Sequence, residues 1–241
     1  MTMFKQEVLS SLKWYFESKN LSLSNALEFR APLSTEHLNK LRLYYSQYFV
    51  SLLSATEFLL ENKYPFHAEF KALLIEQLTL EDAVDGETFY SYLRELRNSI
   101  VHRRYDLTSA SHFANNFPMI VLSQKVKNQS GKKEYLAPRK YLIELIYICE
   151  LMIGKIIAEH LEIFASQLPS LSTEEKLAEL EEFFANNSIM LSWAKEEALN
   201  YVNSEEFKKI NFDETQAVLR LLRKSTPLSD LIAELKALNE K

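Results

Sequence analysis

The chain has 241 residues, of which 47 % are hydrophobic and 25 % are charged, and its formal net charge is −5. This composition is typical of a folded protein with a sizeable core and argues against wholesale disorder. Only 3 glycines and 6 prolines are present, too few for the many tight turns of a β-sandwich or barrel, so long helices are expected. A single cysteine, Cys149, excludes an intrachain disulfide framework and a cysteine-based metal site.

Four helices are predicted in the first 103 residues, each from apolar side chains that repeat at helical spacing. Ser34 is expected to cap the second helix. Pro65 and the pair Asp85-Gly86 are expected to interrupt the chain before the third and the fourth helix. The predicted spans are 3–19, 34–62, 65–78 and 87–103. Residues 20–33 show no clear period.

β-Structure is predicted only as a small hairpin insertion near 117–137. Residues 119–126 are rich in β-branched side chains and are predicted to form its first strand. The segment 128–131 reads Asn-Gln-Ser-Gly, which is a turn signal, and 134–136 would return as the second strand. Residues 105–116 look less regular.

Further helices are predicted after the hairpin. Pro138 is expected to open a long helix to about Gln167, in which Cys149 is a small core residue. Pro169 marks a boundary, and the segment 172–175, Ser-Thr-Glu-Glu, reads as the capping box of the next helix. Shorter helices are predicted over 190–203, 205–210, 213–223 and 227–238.

Together these elements predict an all-α fold, an up-and-down helical bundle with a small hairpin insertion and extra C-terminal helices. The bundle domain is expected over 1–168, with its core over 34–168. Residues 170–241 are either a small helical module or additional helices on the same core. No basic flank leads into an apolar segment at the N-terminus, so no signal peptide is evident. The longest apolar helix contains charged residues, which argues against a membrane partner, and a soluble cytoplasmic protein is expected.

A cluster of positive charge, the basic island, covers residues 94–140. It holds ten Lys or Arg and three acids, a net charge of +7, so the rest of the chain carries −12. Such an island in an acidic chain suits local phosphate binding. The alternative is a solvated loop and hairpin whose charges only aid solubility. The residues predicted to contact RNA are Arg94, Arg103, Arg104, Lys125, Lys127, Lys132 and Lys133.

The most informative functional signal is the segment Arg97-Asn98-Ser99-Ile100-Val101-His102, at the end of the fourth predicted helix, here called the motif helix. Arginine is a permanent forked cation suited to phosphate, and histidine is the side chain most easily tuned to move a proton near neutral pH. Residues five apart on a helix differ by about 140°. Arg97 and His102 are therefore predicted on different faces, whereas Asn98 and His102 share one and could hydrogen-bond.

This segment resembles the signature of the HEPN superfamily, which is Arg, a polar residue, three further residues and His. Members of that superfamily are all-helical bundles, and many are metal-independent ribonucleases. The setting is similar too, because a long helix pair precedes the motif helix and a long helix follows it. The resemblance covers residues 34–168 and does not extend to 1–33 or 170–241.

The resemblance implies a homodimer assembled about the motif helices, with one composite site built from Arg and His of both protomers. Arg97 would hold the scissile phosphate, His102 would act as general acid or base, and Asn98 would orient His102. The RNA 2′-OH would attack its own 3′-phosphate, so DNA would not be cut, and no metal or other cofactor would be required. Family analogy implies a prokaryotic defence setting, such as abortive infection or a toxin–antitoxin pair with an antitoxin protein as partner.

Two observations limit the resemblance. One toxin branch of the superfamily carries Tyr two positions after the His, where this chain has Arg104, with Tyr105 one position later. Membership of that branch is therefore not expected. In an alternative interpretation, His102 with Arg103 and Arg104 only caps the helix C-terminus, where the helix dipole favours cations. The protein would then be a non-catalytic helical module that binds RNA or an acidic protein partner. The other histidines lack ligand spacing, so no metal site is expected.

Overall fold

The computed structural model is mostly helical and carries two small antiparallel hairpins in the middle of the chain. The described residues are 3–80, 84–103, 105–169, 172–186, 189–202, 204, 215–224, 228–229 and 231–233. The helices are α1 (Lys5–Leu27), α2 (Thr35–Leu60), α3 (His67–Gln77), α4 (Gly86–His102), α5 (Leu142–Phe164), α6 (Thr173–Asn186), α7 (Ser192–Val202) and α8 (Thr215–Arg223). The strands are β1 (Ser111–Ala114), β2 (Phe117–Ile120), β3 (Lys125–Lys127) and β4 (Glu134–Leu136). The prediction of a mostly helical chain with a small β insertion is confirmed.

Helices α1 and α2 form an antiparallel pair. Their packing includes a hydrogen bond from the Ser51 hydroxyl to Ser18 Oγ at 3.1 Å. Helix α2 begins where the sequence predicts, because Ser34 Oγ accepts the backbone N–H of His37 at 3.2 Å and so satisfies one donor of the first turn.

Helix α1 is longer than predicted. It was expected to end near Lys19 but continues to Leu27, and Leu23 and Ala26 in the added turns are fully buried. The packing of these side chains outweighs the weak periodicity of the segment, since tertiary contacts stabilise a helix more than local propensity does.

Helix α5 lies in the core, with side chains buried along most of its length. Cys149 is fully buried, as predicted. The helix begins later than predicted from Pro138 because Tyr141 is still extended. Tyr141 bridges to Val121, and its backbone N–H donates to Glu144 Oε2 at 3.1 Å. The last predicted turn, 165–167, is a 3₁₀ helix.

Two hairpins replace the single predicted one. The strand predicted over 119–126 is divided between the two hairpins. Its first part belongs to β2, which pairs with β1. Strand β1 lies within residues 105–116, where no strand was predicted. The β1–β2 loop is Asn115-Asn116, with φ of 48° and 62°. Asparagine tolerates this left-handed conformation, so the pair forms a tight two-residue turn. The predicted second strand, 134–136, is correct and pairs with β3.

A buried ion pair joins α1 to α5. Lys19 Nζ lies 2.5 Å from Glu150 Oε1, and the two side chains are 2 % and 1 % exposed. The hydroxyl of Tyr48 in α2 donates to the same carboxylate oxygen at 2.9 Å. Burial lowers the pKa of Lys19, and the negative charge of Glu150 opposes this shift. Three helices therefore meet at one carboxylate.

The C-terminal helix α8 packs against α1 and α5, and its apolar side chains join the main core. Gly154 permits the approach, because a Cβ there would overlap the backbone carbonyl oxygen of Leu222. Helix α8 therefore lies on the same core as α1 and α5. The predicted helices over 205–210 and 227–238 lie wholly or mostly outside the described residues. None of the helices in the described part of the chain combines the length and apolarity needed to cross a membrane.

His160 of α5 is a fully buried histidine. Its Nε2 atom lies 2.9 Å from the Tyr64 hydroxyl, and its Nδ1 atom has no hydrogen-bond partner within the described structure. The Phe164 ring covers it, with ring centroids 4.7 Å apart. Burial lowers the pKa of His160 to about 4. The imidazole is therefore neutral in the folded protein at neutral pH.

We expect the free energy of unfolding to fall as the pH is lowered from about 6.5 to about 4. An unfolded histidine takes up a proton near pH 6.5, whereas folded His160 does so only near pH 4. The unfolded state thus binds more protons in this window, and falling pH favours it. Between about pH 7 and pH 4.5 the wild type should lose about 2 kcal/mol more than His160→Gln in urea denaturation. His112→Gln, at an exposed histidine, is the control. Identical pH dependence in wild type and His160→Gln would contradict the prediction.

Candidate nucleic-acid interface

The motif helix α4 is held by its first turn and by its apolar face. Asp85 Oδ1 accepts the backbone N–H of Thr88 at 2.8 Å, and this hydrogen bond lowers the pKa of Asp85. Gly86 lets the helix begin close to α3, because a Cβ there would overlap the carbonyl oxygen of Ile75. The predicted apolar face is buried and consists of Phe89, Leu93, Leu96 and Ile100. These contacts define the rotation of α4 and leave its other side open.

Arg94 and Arg97 share one carboxylate. Arg97 Nη2 lies 2.5 Å from Glu57 Oε1 of α2, and Arg94 Nε lies 3.4 Å from the same oxygen. The Arg97 side chain is 18 % exposed, and its buried Nε has no hydrogen-bond partner in the described structure. The Arg94 side chain is 53 % exposed. Two guanidinium groups beside one carboxylate leave a net positive charge, which favours an anion at this point.

His102 is the last residue of α4, and its side chain is exposed. Asn98, one turn earlier, is half-buried, and Val101 is 49 % exposed. Within the described residues no hydrogen bond joins Asn98 to His102, so the orienting role of Asn98 stays a prediction. Because α4 is regular as far as His102, Arg97 and His102 point about 140° apart around its axis.

Arg103 ties the end of α4 to the β3–β4 hairpin. Its guanidinium donates to the Glu95 carboxylate at 2.6 Å and to the Glu95 carbonyl oxygen at 3.0 Å. It also donates to the backbone carbonyl oxygen of Lys127 in β3. Both terminal nitrogens of Arg103 therefore make contacts within the protein, and its contact with RNA stays a prediction. Arg104, another predicted RNA contact, lies outside the described residues.

The lysines predicted to bind RNA lie on and around the β3–β4 hairpin. Lys125 and Lys127 pair with Glu134 at 2.8 and 3.2 Å. The hydrogen bond from Lys125 lowers the pKa of Glu134 and raises that of Lys125. Lys132 and Lys133 in the turn are exposed. Exposed ion pairs are weak because water screens them, so all four lysines are accessible to a phosphate.

Sequence reasoning missed Glu57, although it contacts two of the predicted residues. A signal was present, because Glu57 is an acid between Thr56 and Phe58 in the apolar half of α2. An acid in such a stretch indicates a partner, since an unpaired carboxylate is costly to bury. Glu150 in α5, between Cys149 and Leu151, carries the same signal, whereas Lys19 lies between the polar residues Ser18 and Asn20 and does not.

A cavity of about 420 Å³ opens between α2, α3 and α4. Glu57 and Arg94 line it, so it adjoins the cluster formed by Arg94, Arg97 and Glu57. No motif in the sequence indicated this cavity, because its walls come from three helices that are separated along the chain.

In the described part of the chain, no group of three or more His, Cys, Asp or Glu residues is placed to hold a metal ion. Comparisons with protein-family models, curated proteins and solved structures find no match to this chain. Function is therefore inferred from the motif and its surroundings.

Proposed function

We propose that the protein is a metal-independent endoribonuclease of the HEPN type that acts as a homodimer. The observation that carries the proposal is the position of the motif, at the accessible C-terminal end of α4. There His102 is exposed, and Arg94 and Arg97 together keep a net positive charge beside Glu57. This combination offers an anion site and a proton-transfer group on one helix.

In the proposed reaction the 2′-oxygen of a ribose attacks the phosphorus of its own 3′-phosphate. The bond from phosphorus to the 5′-oxygen of the next nucleotide breaks, which leaves a 2′,3′-cyclic phosphate and a 5′-hydroxyl. His102 would take the proton of the 2′-OH or supply one to the leaving oxygen. Arg97 would hold the phosphate and stabilise the charge that develops on it.

The angle between Arg97 and His102 supports the dimeric form of this proposal. Two groups about 140° apart on a helix are poorly placed to contact one phosphate. A second copy of α4, related by a two-fold axis, could bring His102 of one protomer opposite Arg97 of the other. The exposed Val101 next to His102 suits such a contact. By the same resemblance, we propose a role in a prokaryotic defence or toxin–antitoxin system with an antitoxin as partner.

A second candidate function is a non-catalytic helical module that binds RNA or an acidic protein. The ion pair between Arg97 and Glu57, with Arg97 mostly buried, favours it, because this pair also stabilises the contact between α2 and α4. His102 would then serve as a favourable cation at the helix end.

Cleavage of RNA in EDTA distinguishes the two functions. We expect the wild-type protein to cut a single-stranded RNA and to leave cyclic-phosphate and 5′-hydroxyl ends. It should not cut the same oligonucleotide with 2′-deoxyribose throughout, which lacks the attacking group. RNA binding without cleavage of structured or unstructured RNA would reject the nuclease and support the binding module.

A further inference from the structure

We propose that the cavity between α2, α3 and α4 binds an unpaired nucleobase of the RNA, one that carries an exocyclic amino group. This inference rests on the function proposed above, and it predicts which bases the RNA substrate carries near the cleavage site.

The shape of the cavity suits a nucleobase. Its volume of about 420 Å³ lies within the range of small-molecule sites, about 300–1,000 Å³. Leu60, Ile75 and Tyr90 provide an apolar wall. The Tyr90 hydroxyl is hydrogen-bonded to Thr56 Oγ1 at 3.0 Å, so its ring is held in place. Proteins recognise unpaired bases by packing such surfaces against the base plane and by hydrogen bonds to its edges.

The charges around the cavity favour bases with amino groups. Glu57, Glu61 and Glu87 line it, together with His67, Lys71 and Arg94. Because Glu57 is paired with Arg94 and Arg97, Glu61 and Glu87 are the acids expected to accept hydrogen bonds from a base. A carboxylate accepts hydrogen bonds from the amino groups of adenine or cytosine. Uracil has carbonyl oxygens at the corresponding positions, and these oxygens would face the carboxylates. The RNA backbone is expected outside the cavity, on the two arginines, which together keep a net positive charge beside Glu57.

The cavity is within reach of the proposed cleavage site. Arg94 belongs both to the cavity wall and to the pair of arginines beside Glu57. Along α4, Arg94 and His102 are eight residues apart, about 12 Å, which is about three nucleotides at the ~3.4 Å rise of a stacked strand. A single strand lying along α4 can therefore place its scissile phosphate near His102 and a base a few nucleotides away in the cavity.

Binding of short homopolymers tests the base site without depending on cleavage. The probes are fluorescein-labelled octamers of adenylate, cytidylate and uridylate, and fluorescence anisotropy reads their affinity for His102→Ala protein. We expect the adenylate and cytidylate octamers to bind about tenfold more tightly than the uridylate octamer, the discrimination of one good base contact. Ser91→Trp, which adds bulk in the cavity wall, should abolish this preference and leave uridylate binding unchanged.

Two further variants sharpen the test. Ala72→Trp adds the same bulk on an exposed position of α3 outside the cavity and should keep the preference. Glu87→Gln, a conservative change at the exposed rim, should reduce the preference, in part by raising uridylate affinity, because its amide can donate to the uracil carbonyl oxygens. Equal affinities for the three octamers, or a preference that Ser91→Trp and Glu87→Gln both leave intact, would overturn the base site alone. If the octamers bind with the expected preference but the wild-type protein never cuts RNA, only the nuclease proposal is rejected. If none of the octamers binds, both the nuclease and the base site are rejected.

Discussion

Replacement of His102 by alanine is expected to lower the rate of RNA cleavage by about 10²- to 10⁴-fold, the usual contribution of a general acid or base. The fold should be unaffected, because His102 is exposed at the last residue of α4 and makes no hydrogen bond within the described structure. RNA affinity should change little, since the arginines and lysines remain. The measurement is single-turnover cleavage of a labelled RNA in EDTA, with thermal unfolding of each protein.

His112→Ala is the matched control, because His112 is an exposed histidine on β1, away from the motif helix. It should cleave RNA at the wild-type rate. Equal rates for wild type and His102→Ala would reject the proposed role of His102 in proton transfer.

Mixing two inactive variants tests whether the site is shared between protomers. Arg97→Gln and His102→Ala proteins, unfolded and refolded together, should recover roughly a quarter of wild-type activity. About half of the dimers are mixed, and each mixed dimer keeps one of the two pairs of Arg97 and His102 that a wild-type dimer forms across the two-fold axis. If the mixture stays as inactive as its components, the site lies within one protomer.

The second large effect is expected at the buried ion pair. Lys19→Met or Glu150→Leu alone should lower the free energy of unfolding by about 3–5 kcal/mol, because each leaves a buried charge without its partner. The Glu150→Leu variant also leaves the Tyr48 hydroxyl without its acceptor. The double variant should recover most of the loss, since a well-packed apolar pair avoids the cost of desolvating two charges.

Urea denaturation of the wild type, the two single variants and the double variant measures this coupling as a double-mutant cycle. The exposed pair Lys40 and Glu36 on α2, 2.6 Å apart, is the control, and its removal should change stability much less than loss of either buried charge. Additive losses at Lys19 and Glu150 would show that the two charges are not coupled in the folded protein.

Several features of the fold could be predicted from local sequence. The cap of α2 at Ser34 and the buried face of α4 are as expected, because a capping side chain and a helical apolar stripe act within a few residues. Helix α1 was predicted too short because its last turns depend on the burial of Leu23 and Ala26 against other helices. The β1–β2 hairpin was missed, although Asn115-Asn116 is a recognisable turn signal.

In the candidate site, too, local sequence predicts one part and misses another. The positions of Arg97, Asn98 and His102 on the last turns of α4 follow from helical periodicity alone. Their surroundings do not, because Glu57 is 40 residues before Arg97 and meets it only when α2 and α4 pack. Arg103 also looks like a free cation in the sequence, yet the structure engages it with Glu95 and the β3 backbone.

Local sequence was sufficient for the approximate positions of most helices and for the place of the motif on α4, because each depends on residues within a few turns of one another. It was not sufficient for the end of α1 or the start of α5. Tertiary packing alone decided which charges remain available to a ligand. Glu57 takes up part of the charge of Arg94 and Arg97, and Glu150 meets Lys19 across 131 residues of chain. The cavity beside α4 likewise exists only because three helices separated along the chain leave a space between them. Contacts of this kind depend on how whole helices pack, which no local pattern of residues specifies.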